Sequence, residues 1–336
     1  MAEKKKVVVA AGANFTGREL IKNYLLTEYP DAIVNFVDIL PEKEFIQAAQ
    51  GAEVVLSQHQ KMSERIYEAL PELRAFCAIG IGFNAADVPA ATRHGVIVTN
   101  VPDYCTDEVA SHTVALILAM QRGLYKQVPW IKDGHWDIKA IIPRRRFKDS
   151  TVGLFGFGGI ARNVARKLSG FEVNIIACDP YVSPEQAAEY NAQMVEWGEL
   201  IEHSDILSLH APLLPSTKGK LNEEALRRMK PHAYVVNCAR GELIDREALY
   251  KALTENWIAG AALDVVYNEP VPDEFDKKLI ALPNVWATGH SAFYSVEAYD
   301  ELMRKAANEA GRALRGEKPR CCVNKDVLAH IKWFAE

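Results

Sequence analysis

Long apolar runs and an excess of positive charge are both missing from this sequence. No stretch approaches the roughly 20 apolar residues that a membrane-spanning helix needs, so we expect no membrane partner. Asp and Glu number 44 against 39 Lys and Arg, and the formal charge of −5 disfavours nucleic acid as the main partner. Low-complexity tracts and short-period repeats are absent as well.

Cysteine is sparse and scattered. The six cysteines include none at the spacing of a metal-binding motif, so we expect no metal site and a reduced, cytoplasmic protein. Basic residues before "VVVAAGA" faintly resemble a signal peptide, but Asn14, Thr16, Gly17 and Arg18 interrupt the apolar run. What the chain does have is length and apolar content: 49% of its 336 residues are hydrophobic, which suits two domains of enzyme size.

Strand-like and helix-like segments alternate along the chain. The early strand candidates are "KVVVAA", "AIVNFVD", "AEVVLSQ", "LRAFCAIG" and "VIVTNVP", and a second series of this kind opens at "TVGLF". Such alternation predicts an α/β protein with parallel sheets in two similarly built lobes. Between the two series, "DEVASHTVALILAMQRGL" is apolar around most of its circumference, which predicts a helix buried between domains or subunits.

The second series contains a glycine-rich loop in the context that a dinucleotide needs. In "TVGLFGFGGIARNVARKL" a strand leads into G-x-G-x-x-A, ending at Ala161, and a helix follows. Such a loop turns tightly and lets its backbone approach a pyrophosphate, whose charge suits the helix N-terminus. The residues that we expect to contact the pyrophosphate are Gly156, Gly158, Gly159 and Ile160.

Asp179 ends the next strand candidate, "EVNIIACDP", about twenty residues after the loop, where a carboxylate binds the ribose hydroxyls of NAD. The same charge would repel the 2′-phosphate of NADP. No Lys or Arg between Asp179 and Thr217 compensates for it, so we predict NAD as the cofactor.

The loop near the amino terminus, "AGANFTG", is the weaker candidate for a nucleotide. It lacks the G-x-G pair, although Asp38 ends the following strand candidate and mimics the ribose-binding acid. We interpret it as the first βα turn of a lobe that binds no nucleotide.

Three further stretches place reactive side chains just beyond apolar strands. Arg240 follows the strand of "VVNCARGELID", Asp264 and Glu269 lie in "GAALDVVYNEP", and His290 lies in "NVWATGHSAFYS". The carboxyl ends of parallel strands line the ligand crevice of an open sheet, so we expect these residues to converge on the dinucleotide.

The motifs "GFGGIA", "NCARGELID", "GAALDV", "NEP" and a late "GH", in this order, resemble the D-isomer-specific 2-hydroxyacid dehydrogenases. This resemblance runs from about residue 70 to 325 and implies two Rossmann-like or flavodoxin-like lobes with the active cleft between them. A discontinuous substrate domain would comprise 1–102 and 295–336, and an NAD-binding domain would comprise 103–294. It further implies a homodimer, with the apolar helix from Asp107 onward at the two-fold contact.

The resemblance also assigns roles. Arg240 matches the arginine that grips the substrate carboxylate, His290 matches the general acid, and Glu269 matches its paired carboxylate, which favours the protonated imidazole. Asp264 matches a residue that hydrogen-bonds the nicotinamide carboxamide. Residues that would line the cofactor pocket are Cys238, Ala239, Arg240, Asp264 and His290, with His210, Pro212 and Thr217 in a loop on the cofactor side; Ile81 and Gly82, with Arg240 and His290, would bind substrate.

Several departures from the family pattern bear on affinity or substrate. Gly159 stands where many relatives carry Arg, Asn84 and Ala85 replace the Asp-Asn of the substrate turn, and Gly289 replaces the usual Pro before the histidine. Cys321-Cys322 also stands in place of a common Asn-Pro.

The function that the resemblance implies is hydride transfer between NAD(H) and C2 of a small 2-hydroxy or 2-oxo acid. Candidate pairs are glycerate with hydroxypyruvate and glycolate with glyoxylate, and 3-phosphoglycerate is a further candidate. Arg144, Arg145 and Arg146 form either a solvated basic face or a site for a distal anion. One alternative is an NAD(H)-sensing, corepressor-like binding protein; formate dehydrogenases, a second alternative, carry Gln at the position of Glu269.

Overall fold

The computed structural model describes residues 4–12, 15–331 and 333–334. The chain divides into two compact units, Met1–Tyr104 with Ser295–Glu336 (the first unit) and Cys105–Tyr294 (the second unit). Positions 13 and 14 of the loop "AGANFTG" lie outside the described residues. The roles that the sequence assigns to 1–102 with 295–336 and to 103–294 stay predictions.

The described residues form strands and helices in close alternation. The strands are β1 Lys6–Ala10, β2 Ile33–Val37, β3 Ala52–Ser57, β4 Ala75–Ala78, β5 Ile97–Thr99, β6 Thr151–Phe155, β7 Asn174–Cys178, β8 Ala192–Met194, β9 Ile206–Leu209, β10 Tyr234–Asn237, β11 Gly260–Leu263 and β12 Val285–Ala287. The helices are α1 Arg18–Glu28, α2 Glu42–Ala48, α3 Glu64–Ala69, α4 Val88–Arg93, α5 Thr106–Arg122, α6 Leu124–Lys132, α7 Gly159–Leu168, α8 Pro184–Ala188, α9 Trp197–His203, α10 Glu223–Arg228, α11 Arg246–Thr254, α12 Glu274–Ile280 and α13 Val296–Arg315.

Each unit is built on one parallel sheet, which confirms the predicted fold class. In the first unit the strand order is β2-β1-β3-β4-β5, and α13 returns from the far end of the chain to pack on α1, β3 and β4. In the second unit the order is β12-β11-β10-β9-β6-β7-β8. Paired strands in both sheets run parallel, as the βα alternation predicted.

The sheet of the second unit is buried on both faces, which explains the continuous apolar runs of its central strands. Successive residues of a strand point to opposite faces, so Leu207 and Val235 join one apolar cluster while Ile206 and Val236 join the other. Helices α9, α10 and α11 cover the first face, and α5 and α7 cover the second.

The long apolar helix α5 packs against α7, β10 and β11 of its own unit. This packing covers most of the apolar surface that the sequence predicted to lie between domains or subunits. The helix that follows, α6, has no buried residue, and Trp136, Ile138 and Ile142 beyond it are 89%, 62% and 59% exposed. Across the described ranges, no helix combines the length and apolarity that crossing a bilayer would need.

Candidate active site

Three adjacent strands end at one edge of the second sheet, and each delivers a predicted site residue. In the register of the sheet Asn237 lies beside Leu263, and Leu263 lies beside Ala287. The ladder continues one residue further, because Asp264 N–H donates to Asn237 O at 2.9 Å and Thr288 N–H donates to Leu263 O at 2.9 Å. The loops that carry Arg240, Asp264 and His290 therefore begin side by side.

The Arg240 turn is held by the side chain of Asn237, which is fully buried. Asn237 Nδ2 donates to Arg240 O at 2.8 Å, and its Oδ1 accepts from Ala239 N–H at 3.0 Å. Gly241 is required next, since an added Cβ would overlap Val266 O. Within the part of the chain that the structure describes, no carboxylate pairs with the Arg240 guanidinium, which leaves this cation for an anionic ligand.

His290 and Glu269 form the pair that the sequence suggested. His290 Nδ1 lies 2.9 Å from Glu269 Oε2, and the two side chains are 32% and 23% exposed. A carboxylate is an acceptor, so Nδ1 carries the hydrogen, and Nε2 is the ring nitrogen that this pair leaves available for another contact.

Asp264 is 1% exposed, and its carboxylate closes the turn on which His290 sits. Oδ1 accepts from Thr288 Oγ1 at 2.5 Å and from Ser291 N–H at 2.9 Å, and Oδ2 accepts from Ala292 N–H at 3.0 Å. The main-chain oxygen of Asp264 accepts from His290 N–H at 2.7 Å. These contacts within the chain hold the His290 turn in place. The hydrogen bond from Asp264 to the nicotinamide carboxamide, which the family resemblance implies, stays a prediction.

The glycine loop after β6 has the shape that a pyrophosphate needs. Gly156 has φ +87°, and an added Cβ there would lie 2.6 Å from Ala211 N, so the turn admits only glycine without strain. Gly158 occupies the N-cap position of α7, where no side chain accepts a hydrogen bond from the first turn. A Cβ added at Gly158 would meet nothing within 4 Å. The first-turn N–H groups of Gly159 and Ile160 thus begin the helix beside open space, which suits an anion.

Asp179 lies at the end of β7, against this loop. Its Oδ2 accepts from Phe157 N–H at 2.8 Å and its Oδ1 accepts from Tyr181 N–H at 2.9 Å. A carboxylate has about four acceptor sites, so about two remain beyond these contacts for further donors.

The loop predicted on the cofactor side follows β9 and touches Gly156 through its backbone. His210 Nε2 lies 2.9 Å from Ser208 Oγ, and burial lowers the pKa of His210 to about 4, so its imidazole is neutral at pH 7. Thr217 Oγ1 donates to Pro212 O at 2.6 Å and closes the loop.

Two pairs of predicted site residues remain to be located, Cys238 with Ala239 and Ile81 with Gly82. Burial raises the pKa of the Cys238 thiol to about 12, which keeps it neutral beside Ala239 in the Arg240 turn. Ile81 and Gly82 lie in the first unit beyond β4, where Asn100 Nδ2 donates to Ile81 O at 2.7 Å. Sequence reasoning did not single out Asn237, Thr288 or Asn100; Asn237 and Thr288 stand inside the quoted motifs, which is the signal that would have found them.

Comparison with known proteins identifies the family. The sequence profile of the D-isomer specific 2-hydroxyacid dehydrogenase, NAD binding domain, matches residues 114–292, more than half of the 336 residues. A glyoxylate reductase from Thermofilum pendens is 39% identical over 274 residues, which cover 80% of each chain.

Solved structures give the same result. The D-isomer specific 2-hydroxyacid dehydrogenase from Lactobacillus delbrueckii ssp. bulgaricus, in an NAD-complexed form, has a TM-score of 0.75 and 28% identity, with 95% of this chain and 100% of that chain covered. The acyclic imino acid reductase Bsp5, in complex with NADPH and D-Arg, has a TM-score of 0.82 and 29% identity, with 95% and 99% covered. The chain belongs to the D-isomer specific 2-hydroxyacid dehydrogenase family, and is thus an oxidoreductase of CH–OH groups with an NAD-binding domain.

Proposed function

We propose that this protein interconverts a small 2-oxo acid and the corresponding D-2-hydroxy acid, with NAD(H) as its cofactor. The observation that carries the proposal is the convergence of Arg240, Asp264 and His290 at one sheet edge, with His290 paired to Glu269 at 2.9 Å. A guanidinium, an oriented imidazole and a dinucleotide loop in one unit are the parts that this reaction requires.

Each group has one task. Arg240 binds the substrate carboxylate, because its planar guanidinium offers two parallel donors and no described carboxylate neutralises it. During reduction His290 gives the proton on Nε2 to the carbonyl oxygen, and during oxidation it takes one back. Glu269 accepts from Nδ1–H and so fixes both the tautomer and the ring direction. Bound NADH would supply the hydride.

The cofactor is held at the loop from Gly156 to Ile160, with its ribose at Asp179. This assignment is supported by the open space at Gly158 and by the uncapped start of α7. We propose NAD over NADP because the Asp179 carboxylate would face a 2′-phosphate with no cation beside it. His210, Pro212 and Thr217 would border the same site.

Glyoxylate and hydroxypyruvate are the substrates that we favour. The identity of 39% with a protein named glyoxylate reductase supports this choice. In the first unit, the turn at Ile81 and Gly82 would present backbone N–H groups to the substrate carboxylate, and Asn100 holds this turn by donating to Ile81 O at 2.7 Å.

A panel of acids tests the function. Glyoxylate, hydroxypyruvate, pyruvate and 3-phosphohydroxypyruvate are offered with NADH, and formate is offered with NAD⁺, while the absorbance of the reduced nicotinamide is followed. We expect oxidation of NADH by at least one 2-oxo acid, and loss of that activity in Arg240→Gln. Tight NADH binding with no turnover of any 2-oxo acid would overturn the proposal in favour of the corepressor-like alternative, and oxidation of formate alone would favour a formate dehydrogenase.

We also propose a homodimer in the cytoplasm. Support for the dimer comes from five exposed apolar side chains that follow α5 in the chain, because exposed apolar patches mark association sites. These side chains are Leu124, Val128, Trp136, Ile138 and Ile142. Light scattering is expected to show a dimer that Trp136→Ser weakens. A wild-type monomer at micromolar concentration would refute the dimer.

The cytoplasmic location is supported by the cysteines. All six are free thiols, as expected in a reducing compartment, and cell fractionation tests this location.

A further inference from the structure

His112 lies on α5, a helix to which the reaction has so far assigned no residue. Its Nε2 lies 3.1 Å from Thr288 Oγ1 and 3.7 Å from Asp264 Oδ1, and a quarter of the side chain (25%) is exposed. His112 is thus a neighbour of the two residues that fix the His290 turn.

The hydrogen-bond chain at Thr288 has only one consistent direction. Thr288 Oγ1 has a single hydrogen, and it donates this hydrogen to Asp264 Oδ1 at 2.5 Å. The same oxygen can therefore only accept from His112, so Nε2 of His112 must carry a hydrogen. The chain of donors then runs from His112 through Thr288 to the carboxylate of Asp264.

Asp264 depends on these donors because its carboxylate is buried. Among the residues that the structure describes, His112 is the one basic side chain within ion-pair distance of it. A buried carboxylate without donors or a cation is strongly disfavoured. His112 therefore supplies this carboxylate with a donor through Thr288.

We propose that His112 is a positioning residue for proton transfer, which rests on the function proposed above. By donating from Nε2 to Thr288, it fixes the hydroxyl that anchors Asp264. Asp264 in turn accepts hydrogen bonds from the N–H groups of His290, Ser291 and Ala292, and so fixes the backbone turn from which the His290 ring extends toward Glu269. His112 touches no reacting atom and acts only through this chain.

Two variants separate the donor from the mere presence of a side chain. His112→Gln keeps an N–H donor at similar reach, while His112→Leu keeps bulk and removes the donor. In His112→Leu we expect kcat to fall about tenfold, the effect of one lost hydrogen bond, while KM and the Kd for NADH change less than twofold. His112→Gln is expected to recover most of kcat. His203→Gln, an exposed position on α9, is the control.

The kinetic result overturns the proposal if His112→Leu keeps the wild-type kcat, or if His112→Gln is as impaired as His112→Leu. A rise in KM with unchanged kcat would equally overturn it, since His290 acts on the chemical step.

A measurement without substrate completes the test. The ¹⁵N chemical shift of His112 Nε2 in the full chain at neutral pH is expected to be that of a protonated nitrogen, and His112 is assigned by its absence in His112→Gln. An unprotonated Nε2 would refute the direction of the chain. This arm holds even if no 2-oxo acid is reduced, so failure of the inference and failure of the proposed function are distinguishable.

Discussion

Asp179 offers the sharpest test of how the second unit selects its cofactor. Its carboxylate is fixed by the N–H groups of Phe157 and Tyr181, at 2.8 and 2.9 Å, beside the glycine loop. Within the described ranges, no basic side chain forms an ion pair with it. Asp179→Asn removes the charge while it retains the shape and one acceptor oxygen.

The expected magnitude follows from Coulomb's law. A unit charge about 4 Å from a 2′-phosphate is repelled by about 4 kcal/mol at an effective dielectric of 20, or about three decades in affinity. Salt and water at a partly exposed site reduce this value. We therefore expect Asp179→Asn to raise the ratio of kcat/KM for NADPH to that for NADH by roughly 30- to 1,000-fold, with the smaller factor at high salt.

The assay measures kcat/KM for both reduced cofactors at one fixed 2-oxo acid. Asp38→Asn is the matched control. Asp38 follows β2 in the first unit, as Asp179 follows β7 in the second unit, and it forms an ion pair with Arg18 at 3.3 Å. This control should leave the ratio unchanged. If Asp179→Asn folds, shows an unaltered Tm and keeps the wild-type ratio, electrostatic selection by Asp179 is refuted.

Three further predictions concern the proton donor, the loop and a buried imidazole. His290→Ala should lower kcat by about 10²- to 10⁴-fold with NADH still bound, measured by steady-state rates and fluorescence titration. Gly156→Ala should destabilise the fold by about 2 kcal/mol or more, since its Cβ would lie 2.6 Å from Ala211 N, whereas Gly158→Ala should keep Tm and weaken NADH binding about tenfold. Burial lowers the pKa of His210 to about 4. As the pH falls from about 6.5 to about 4, the unfolded chain therefore binds a proton at this residue that the folded chain does not. The free energy of unfolding should decrease over that range by up to about 3 kcal/mol. His210→Gln should flatten this decline in urea unfolding; an unchanged slope would contradict it.

The sheets and the strand ends of the site were predictable from local patterns. Apolar runs such as "YVVN" are buried on both faces of a parallel sheet, and the residues just after such a run lie at the carboxyl edge. That rule places Arg240, Asp264 and His290 at one edge of the sheet, and the strand order of the structure makes them neighbours, because β10, β11 and β12 are adjacent. The fold class was confirmed for the same reason.

The contacts that hold the site were not predictable, because they join residues that are far apart in sequence. Asp264 is 24 to 28 positions from Thr288, Ser291 and Ala292, and no local period links an acid to a turn at that separation. Arg144 is a second case: its Nη1 donates to Met120 O at 3.1 Å and also bonds Tyr234 Oη, so this member of the basic triplet packs inside the second unit.

The turn before His290 shows why a departure from a family pattern need not loosen a site. Gly289 stands in place of the Pro of the family pattern that the sequence resembles, and an added Cβ there would meet nothing within 4 Å, so a side chain at this position would gain no packing contact. His290 itself has φ +52°, a left-handed conformation that costs a side chain about 1–2 kcal/mol. Asp264 accepts four hydrogen bonds from the turn, each contributing about 0.5–1.5 kcal/mol, so their total of about 2–6 kcal/mol offsets that cost. The backbone of the His290 turn therefore depends on a buried carboxylate, and we expect the proposed proton transfer to be more sensitive to the donors to Asp264 than to the glycine at position 289.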